Sequence, residues 1–171
     1  MKEILENKQD VVKYFEKGSK PKHMWRIGTE HEKFLYNIDT LEPVDYYGEN
    51  GIISLFKLLK RMGWKEIIEN NNPIALKHKG STISLEPRCQ IELSGGVVKT
   101  IHETCKQAKT YLDQLKTICA KKKLGILGIG YYPKSFKKST GWVPKKRYSI
   151  MKKRMKMTGS HGLEMMSSTC C

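Results

Sequence analysis

Between Thr82 and Ser94 the chain alternates in character residue by residue, and this constrains its fold more than any other feature. Thr82, Ser84 and Glu86 interleave with Ile83 and Leu85, and Gln90, Glu92 and Ser94 interleave with Ile91 and Leu93. Successive side chains of a strand point to opposite faces, so each segment is apolar on one side and hydrogen-bonding on the other. Ile74–His78, the turn Lys79-Gly80 and Ser81–Glu86 read as a hairpin, which makes the pairing antiparallel. Such a sheet covers its apolar face with helices and leaves the polar face open. The fold class expected is α+β.

Helices fit that plan. Thr100–Lys123 repeats Ile101, Cys105, Ala108, Leu112, Leu115 and Cys119 at helical spacing, which predicts one buried stripe containing both cysteines. Residues 51–62 carry Ile52, Ile53, Phe56, Leu59 and Met62 on one side, with Gly63 as the stop. Residues 3–17 read as a helix with Ile4, Val11 and Phe15 together, and 145–157 as a basic helix with Met151 and Met155 inward. Met24–Asn37, Trp64–Ile68 and Leu124–Tyr132 read as strands, and the chain after Leu163 as extended.

The open face carries the chemistry. In Gly28-Thr29-Glu30-His31-Glu32-Lys33-Phe34 the two glutamates share a side, about 7 Å apart along the strand. Two bare carboxylates at that distance repel by about 2 kcal/mol at an effective dielectric near 20, and a divalent cation between them turns repulsion into attraction. Folded into the same sheet, Glu30, Glu32, Glu86 and Glu92 share the polar face. Four carboxylates make an oxygen-rich set suited to Mg²⁺. Gln90 lies on that side as well, whereas His31 has the opposite parity.

Charge adds a second half. Of 171 residues, 32 are Lys or Arg and 17 Asp or Glu, a net charge of +15. Residues 114–171 hold 14 of the basic residues and one acid, Glu164. A basic segment of this kind suits an anionic partner. Neither a phosphate-binding G-x-x-x-x-G-K-[ST] loop nor a dinucleotide fingerprint is present. A nucleotide therefore needs magnesium on the carboxylates and cations on the phosphates, with Lys134, Lys145, Lys146, Arg147 and Arg154 as candidates. The five cysteines form no C-x-x-C pair, which argues against zinc. No apolar run reaches the roughly 20 residues of a membrane helix. The acidic residues among Met1–Glu6 argue against a presequence and predict a cytoplasmic protein with reduced thiols.

Several ordered segments carry a resemblance. Ile27–Phe34, Ile83–Pro87, Gln90–Gly95, Thr100–Cys105, Pro144–Met151 and Gly162–Met166 resemble the glutamate–cysteine ligase of plants and many proteobacteria, collinearly over nearly the whole chain. The resemblance implies a glutamine-synthetase-like ligase fold. It also implies ATP, Mg²⁺, L-glutamate and L-cysteine as ligands, and the first step of glutathione synthesis as the reaction. By residue, it implies Glu30, Glu32, Glu86 and Glu92 as magnesium ligands, Gln90 and Lys145 in substrate binding, and Arg147 at the γ-carboxylate or its phosphorylated form.

Arg88 and Cys89 depart from the pattern, standing where the family has two glycines, and Ser168 stands where it has arginine. Family members continue far beyond the Met-Met segment. The expectation is therefore the N-terminal part of one catalytic domain (1–171), with little or no activity alone. Two alternatives stay open: a ligase of the same fold with another substrate, and a basic single-strand-binding module using Tyr131, Tyr132, Phe136 and Trp142.

Overall fold

The computed structural model describes residues 5–134 and 141–170. Its centre is one six-stranded sheet of β1 (Glu30–Asn37), β2 (Lys65–Glu69), β3 (Asn72–His78), β4 (Ser81–Leu85), β5 (Ile91–Ser94) and β6 (Leu124–Leu127). The order is β2-β3-β4-β5-β1-β6, antiparallel throughout. Two hairpins fix the register, and the chain chemistry explains both. Asn70 and Asn71 (φ 48° and 62°) close β2–β3, and Lys79 and Gly80 (φ 45° and 83°) close β3–β4. Two successive left-handed residues twist a two-residue loop in the sense its strands require, and asparagine and glycine tolerate that conformation best.

The apolar face carries Leu76, Ile83, Leu85, Ile91, Leu93 and Leu35, all buried. Helix α2 (Ile52–Lys60) and helix α3 (Ile101–Lys121) supply the other half of this core through Ile52, Leu55, Phe56, Leu59, Leu115 and Ile118. Helix α3 begins at a capping box in which Thr100 and Glu103 satisfy each other's backbone N–H groups.

Several expectations are corrected. The buried side of α3 is Thr104, Tyr111, Leu115, Ile118 and Cys119, while Ile101 and Cys105 are exposed. Tyr111 is buried on this side, whereas Ala108 and Leu112 are half-buried. Helix α1 (Lys8–Gly18) starts at Asn7, whose side chain and that of Asp10 form a capping box; it buries no residue, so Val11 and Phe15 face solvent. Ile4 lies outside the described residues. β1 is shorter than its apolar pattern, because Lys22–Met24 is a single 3₁₀ turn and Ile27 makes only an isolated bridge to Val98. β6 ends at Leu127. The segment expected to be extended is helical, α5 (Gly162–Ser168), where Ser167 Oγ donates back to the carbonyl of Leu163.

Tyr46 yields a pH prediction. It is fully buried and its hydroxyl donates to the carbonyl of Pro73 at 2.9 Å. Burial, helped by neighbouring Tyr47, pushes its pKa from 10 to about 12. Above pH 10 the unfolded chain releases this proton while the native chain keeps it, so stability present below pH 10 is lost as pH rises through 12. In urea titrations across that window, Tyr46→Phe is expected to lose stability less steeply than the wild type. Parallel slopes would show that Tyr46 does not titrate on unfolding.

Candidate active site

Strand register, rather than chain proximity, assembles the polar face. Glu32 stands opposite Glu92, which stands opposite Ser84; Glu30 stands opposite Ser94, which stands opposite Thr82. Opposed residues in a ladder point to the same side with backbones about 4.5–5.5 Å apart. The pair Glu86 and Gln90 continues the β4–β5 ladder by one step, the amide of Glu86 donating to the carbonyl of Gln90 at 2.9 Å. By strand parity Glu86 therefore falls on the side of Ser84 and Glu92.

These side chains sit in different environments. Glu32 is buried, Glu86 and Glu92 half-buried, Glu30 exposed. Ser84 Oγ donates to Glu92 Oε2 at 2.8 Å, steering that carboxylate. Among the described residues no three His, Cys, Asp or Glu gather closely enough to hold a metal ion by themselves. Gln90 is 2% exposed and braces the turn: its Oε1 accepts from the Arg88 amide at 3.0 Å, and its Nε2 donates to the Thr169 carbonyl at 2.8 Å.

Arg88 and Cys89 form the turn between β4 and β5. Cys89 is left-handed (φ 70°) although it has a side chain. Its thiol is buried and donates to the Gly141 carbonyl at 3.1 Å. Burial, reinforced by the negative charge of Asp45, pushes the thiol pKa far up, so it remains protonated. Arg88 is buried beside it, and its guanidinium lies 5.5 Å from the centre of the Trp142 ring.

Helix α4 (Lys146–Thr158) brings the basic half to the end of β4. Tyr148 is 4% exposed; its hydroxyl donates to the Leu85 carbonyl and lies 3.4 Å from Glu86 Oε1. Lys145 Nζ donates to the same carbonyl at 2.9 Å and to the Tyr148 hydroxyl at 3.3 Å. One carbonyl thus anchors two side chains of the segment that carries Arg147. Burial lowers the Lys145 pKa and the charge of Arg147 lowers it further, while Glu86 pulls it back up. Burial and Glu86 raise that of Tyr148, so the phenol stays neutral and donating. The first turn of α4 is capped from the β2–β3 turn, where Glu69 accepts from the Lys146 amide at 2.7 Å. Met151 and Met155 pack inward as their spacing predicts.

Not every candidate joins this site. Lys134 pairs with Glu42 at 2.9 Å and donates to the Thr40 carbonyl, which commits it to the turn after β1. Arg154 and Arg147 are exposed. Among the described residues the aromatic candidates form no common platform. Tyr132 is buried against Phe34 with its hydroxyl on the Leu41 carbonyl, and the Tyr131 hydroxyl donates to Glu164. Phe136 lies outside the described residues. Sequence reasoning missed Tyr148 and Glu69, because their partners lie 63 and 77 positions away.

Comparison with known proteins gives the family. The family described as Glutamate-cysteine ligase family 2 matches residues 26–171. Glutamate–cysteine ligase A, chloroplastic, of Oryza sativa subsp. japonica is 45% identical over 163 residues, which is 95% of this chain and 33% of the rice protein. The chloroplastic enzymes of Medicago truncatula and Arabidopsis thaliana are 42% and 39% identical, over 32% and 31% of their lengths. The chain therefore spans about a third of the curated relatives it matches. Their names overturn the cytoplasmic expectation, since these relatives are chloroplastic. A few acidic residues after the first methionine do not determine a compartment. Among the described residues no helix is long and apolar enough to cross a membrane.

Proposed function

Because the chain belongs to glutamate–cysteine ligase family 2, we propose that its polar sheet face is one wall of a site joining the γ-carboxylate of L-glutamate to the amine of L-cysteine at the expense of ATP. This is the first step of glutathione biosynthesis. On this reading the fold is the glutamine-synthetase-like ligase fold, residues 1–171 are the N-terminal part of one catalytic domain, and the compartment is a plastid. One observation carries it: register sets Glu32 opposite Glu92, Glu86 lies on the same strand face, and Lys145 is anchored beside it on the Leu85 carbonyl.

The donor set suits magnesium. Mg²⁺ takes one or two protein carboxylates and completes its shell with water and substrate phosphates, so a dedicated three-residue cluster is not required. Glu30, Glu32, Glu86 and Glu92 are the candidate ligands. When bound, the ion neutralises charge on the ATP phosphates.

The chain's own residues do the rest by positioning and charge. A γ-carboxylate oxygen of glutamate attacks the terminal phosphorus, the bond to ADP breaks, and γ-glutamyl phosphate forms. The guanidinium of Arg147 suits the carboxylate and then the acyl phosphate, since its planar fork holds two oxygens. Lys145, held by Leu85 and Tyr148, retains one N–H for a ligand oxygen. The cysteine amine then attacks the acyl carbon and phosphate leaves. Gln90 holds the turn between the strands bearing Glu86 and Glu92.

Nucleotide titration of the purified chain tests this reading. ATP is expected to bind at least about tenfold more tightly with magnesium than with EDTA, equivalent to about 1.4 kcal/mol. Equal affinity under both conditions overturns the reading. Synthesis of γ-glutamylcysteine by the 171-residue chain alone is expected to be undetectable. Turnover comparable to that of the longer relatives would overturn the assignment of 1–171 as part of a domain.

A further inference from the structure

Beside the polar face, between α4 and the β2–β3 turn, lies a cleft of about 450 Å³. Asn70, Trp142, Lys145, Lys146, Ser149 and Lys152 line it, and none of the four glutamates does. Three ammonium groups share this space with no carboxylate in the lining. Glu86 reaches Lys145 from outside the cleft, next to the Tyr148 hydroxyl, and Glu69 is engaged by the Lys146 amide. Two of the ammonium groups are held at the walls: Lys152 Nζ sits 4.3 Å from the centre of the Trp142 ring, and Lys145 Nζ is fixed on Leu85 and Tyr148. Cations so crowded raise the local potential and favour a multiply charged anion. The volume suits a small molecule and is too short for a run of nucleotides.

We propose that this cleft binds a polyphosphate group, inorganic or carried on a nucleotide, without magnesium. Lys145, Lys146 and Lys152 meet the phosphate oxygens directly, and Asn70 supplies a side-chain amide. Ammonium groups already in place do what a metal does elsewhere, so chelation leaves this site intact. The inference shares Lys145 with the ligase reading but needs neither its magnesium nor its glutamate face.

Calorimetric titration of the purified chain in EDTA tests it, with tripolyphosphate, ATP and a short single-stranded oligonucleotide as separate probes. Tripolyphosphate and ATP are expected to bind, more weakly as salt rises. Lys146→Gln and Lys152→Gln are each expected to weaken binding up to about fivefold, the range for a partly solvated charge pair. Both variants are expected to melt with the wild type, since neither side chain is fully buried. Equal affinity for ATP and tripolyphosphate marks a site that reads phosphate alone; tighter ATP marks one that also seats the nucleoside. No binding in EDTA, binding indifferent to both substitutions, or tighter binding of the oligonucleotide through the same lysines overturns the proposal. A missing magnesium-dependent increment for ATP would instead count against the ligase reading, so the two failures are distinguishable.

Discussion

Glu92→Gln is expected to remove the magnesium-dependent part of ATP binding while leaving the melting temperature equal or higher. Glu92 faces Glu32 across the β1–β5 ladder. The ladder sets their backbones about 5 Å apart and turns both side chains to one strand face. Glutamine keeps the shape and still accepts from Ser84, whose Oγ now reaches Glu92 at 2.8 Å. The substitution therefore takes away charge without removing packing. Binding and thermal unfolding, measured on the same preparation, check both halves. A variant that binds ATP with an unchanged magnesium dependence would remove Glu92 from the proposed site. A variant that unfolds well below the wild type would show that the carboxylate has a structural role.

Tyr148→Ala is expected to cost about 3–5 kcal/mol of stability, the range for deleting a buried aromatic ring. The ring is 4% exposed and belongs to the main core. Its hydroxyl and Lys145 Nζ converge on the Leu85 carbonyl. Tyr148→Phe separates the two contributions: it keeps the ring, removes one donor, and is expected to cost about 0.5–1.5 kcal/mol. Leu85 still accepts from Lys145 in that variant, so its carbonyl is not orphaned. Urea unfolding gives the magnitudes. Amide hydrogen exchange gives the location, because loss of this anchor is expected to speed exchange first in α4 and α5, which pack on each other. A cost below about 1 kcal/mol for the alanine variant would mean that Tyr148 does not hold α4 to β4.

The fate of the cysteines and of α3 illustrates which signals carried. Helical spacing correctly placed Leu115 and Cys119 inside, yet the same stripe put Ile101 and Cys105 inside, where the structure leaves them exposed. The large Tyr111 side chain is buried instead, 2% exposed. Apolar spacing alone does not register size. In α1 the stripe exists but nothing covers it. The compartment was not readable either, and the names of the relatives corrected it.

The sequence by itself determined what local chemistry can determine. The turn Lys79-Gly80 between two alternating segments marked the β3–β4 hairpin. Period-two alternation assigned Glu30, Glu32, Glu86 and Glu92 to the polar strand faces, and helical spacing placed a helix over Thr100–Lys123. Only the tertiary structure decided what depends on distant partners: Glu32 opposite Glu92, Gln90 joined to Thr169, Glu69 capping α4, and Tyr148 on the Leu85 carbonyl. The division has a physical cause. Turn geometry and strand parity are settled within a few residues by backbone sterics, whereas the choice of a buried polar partner is settled by which elements close together in space.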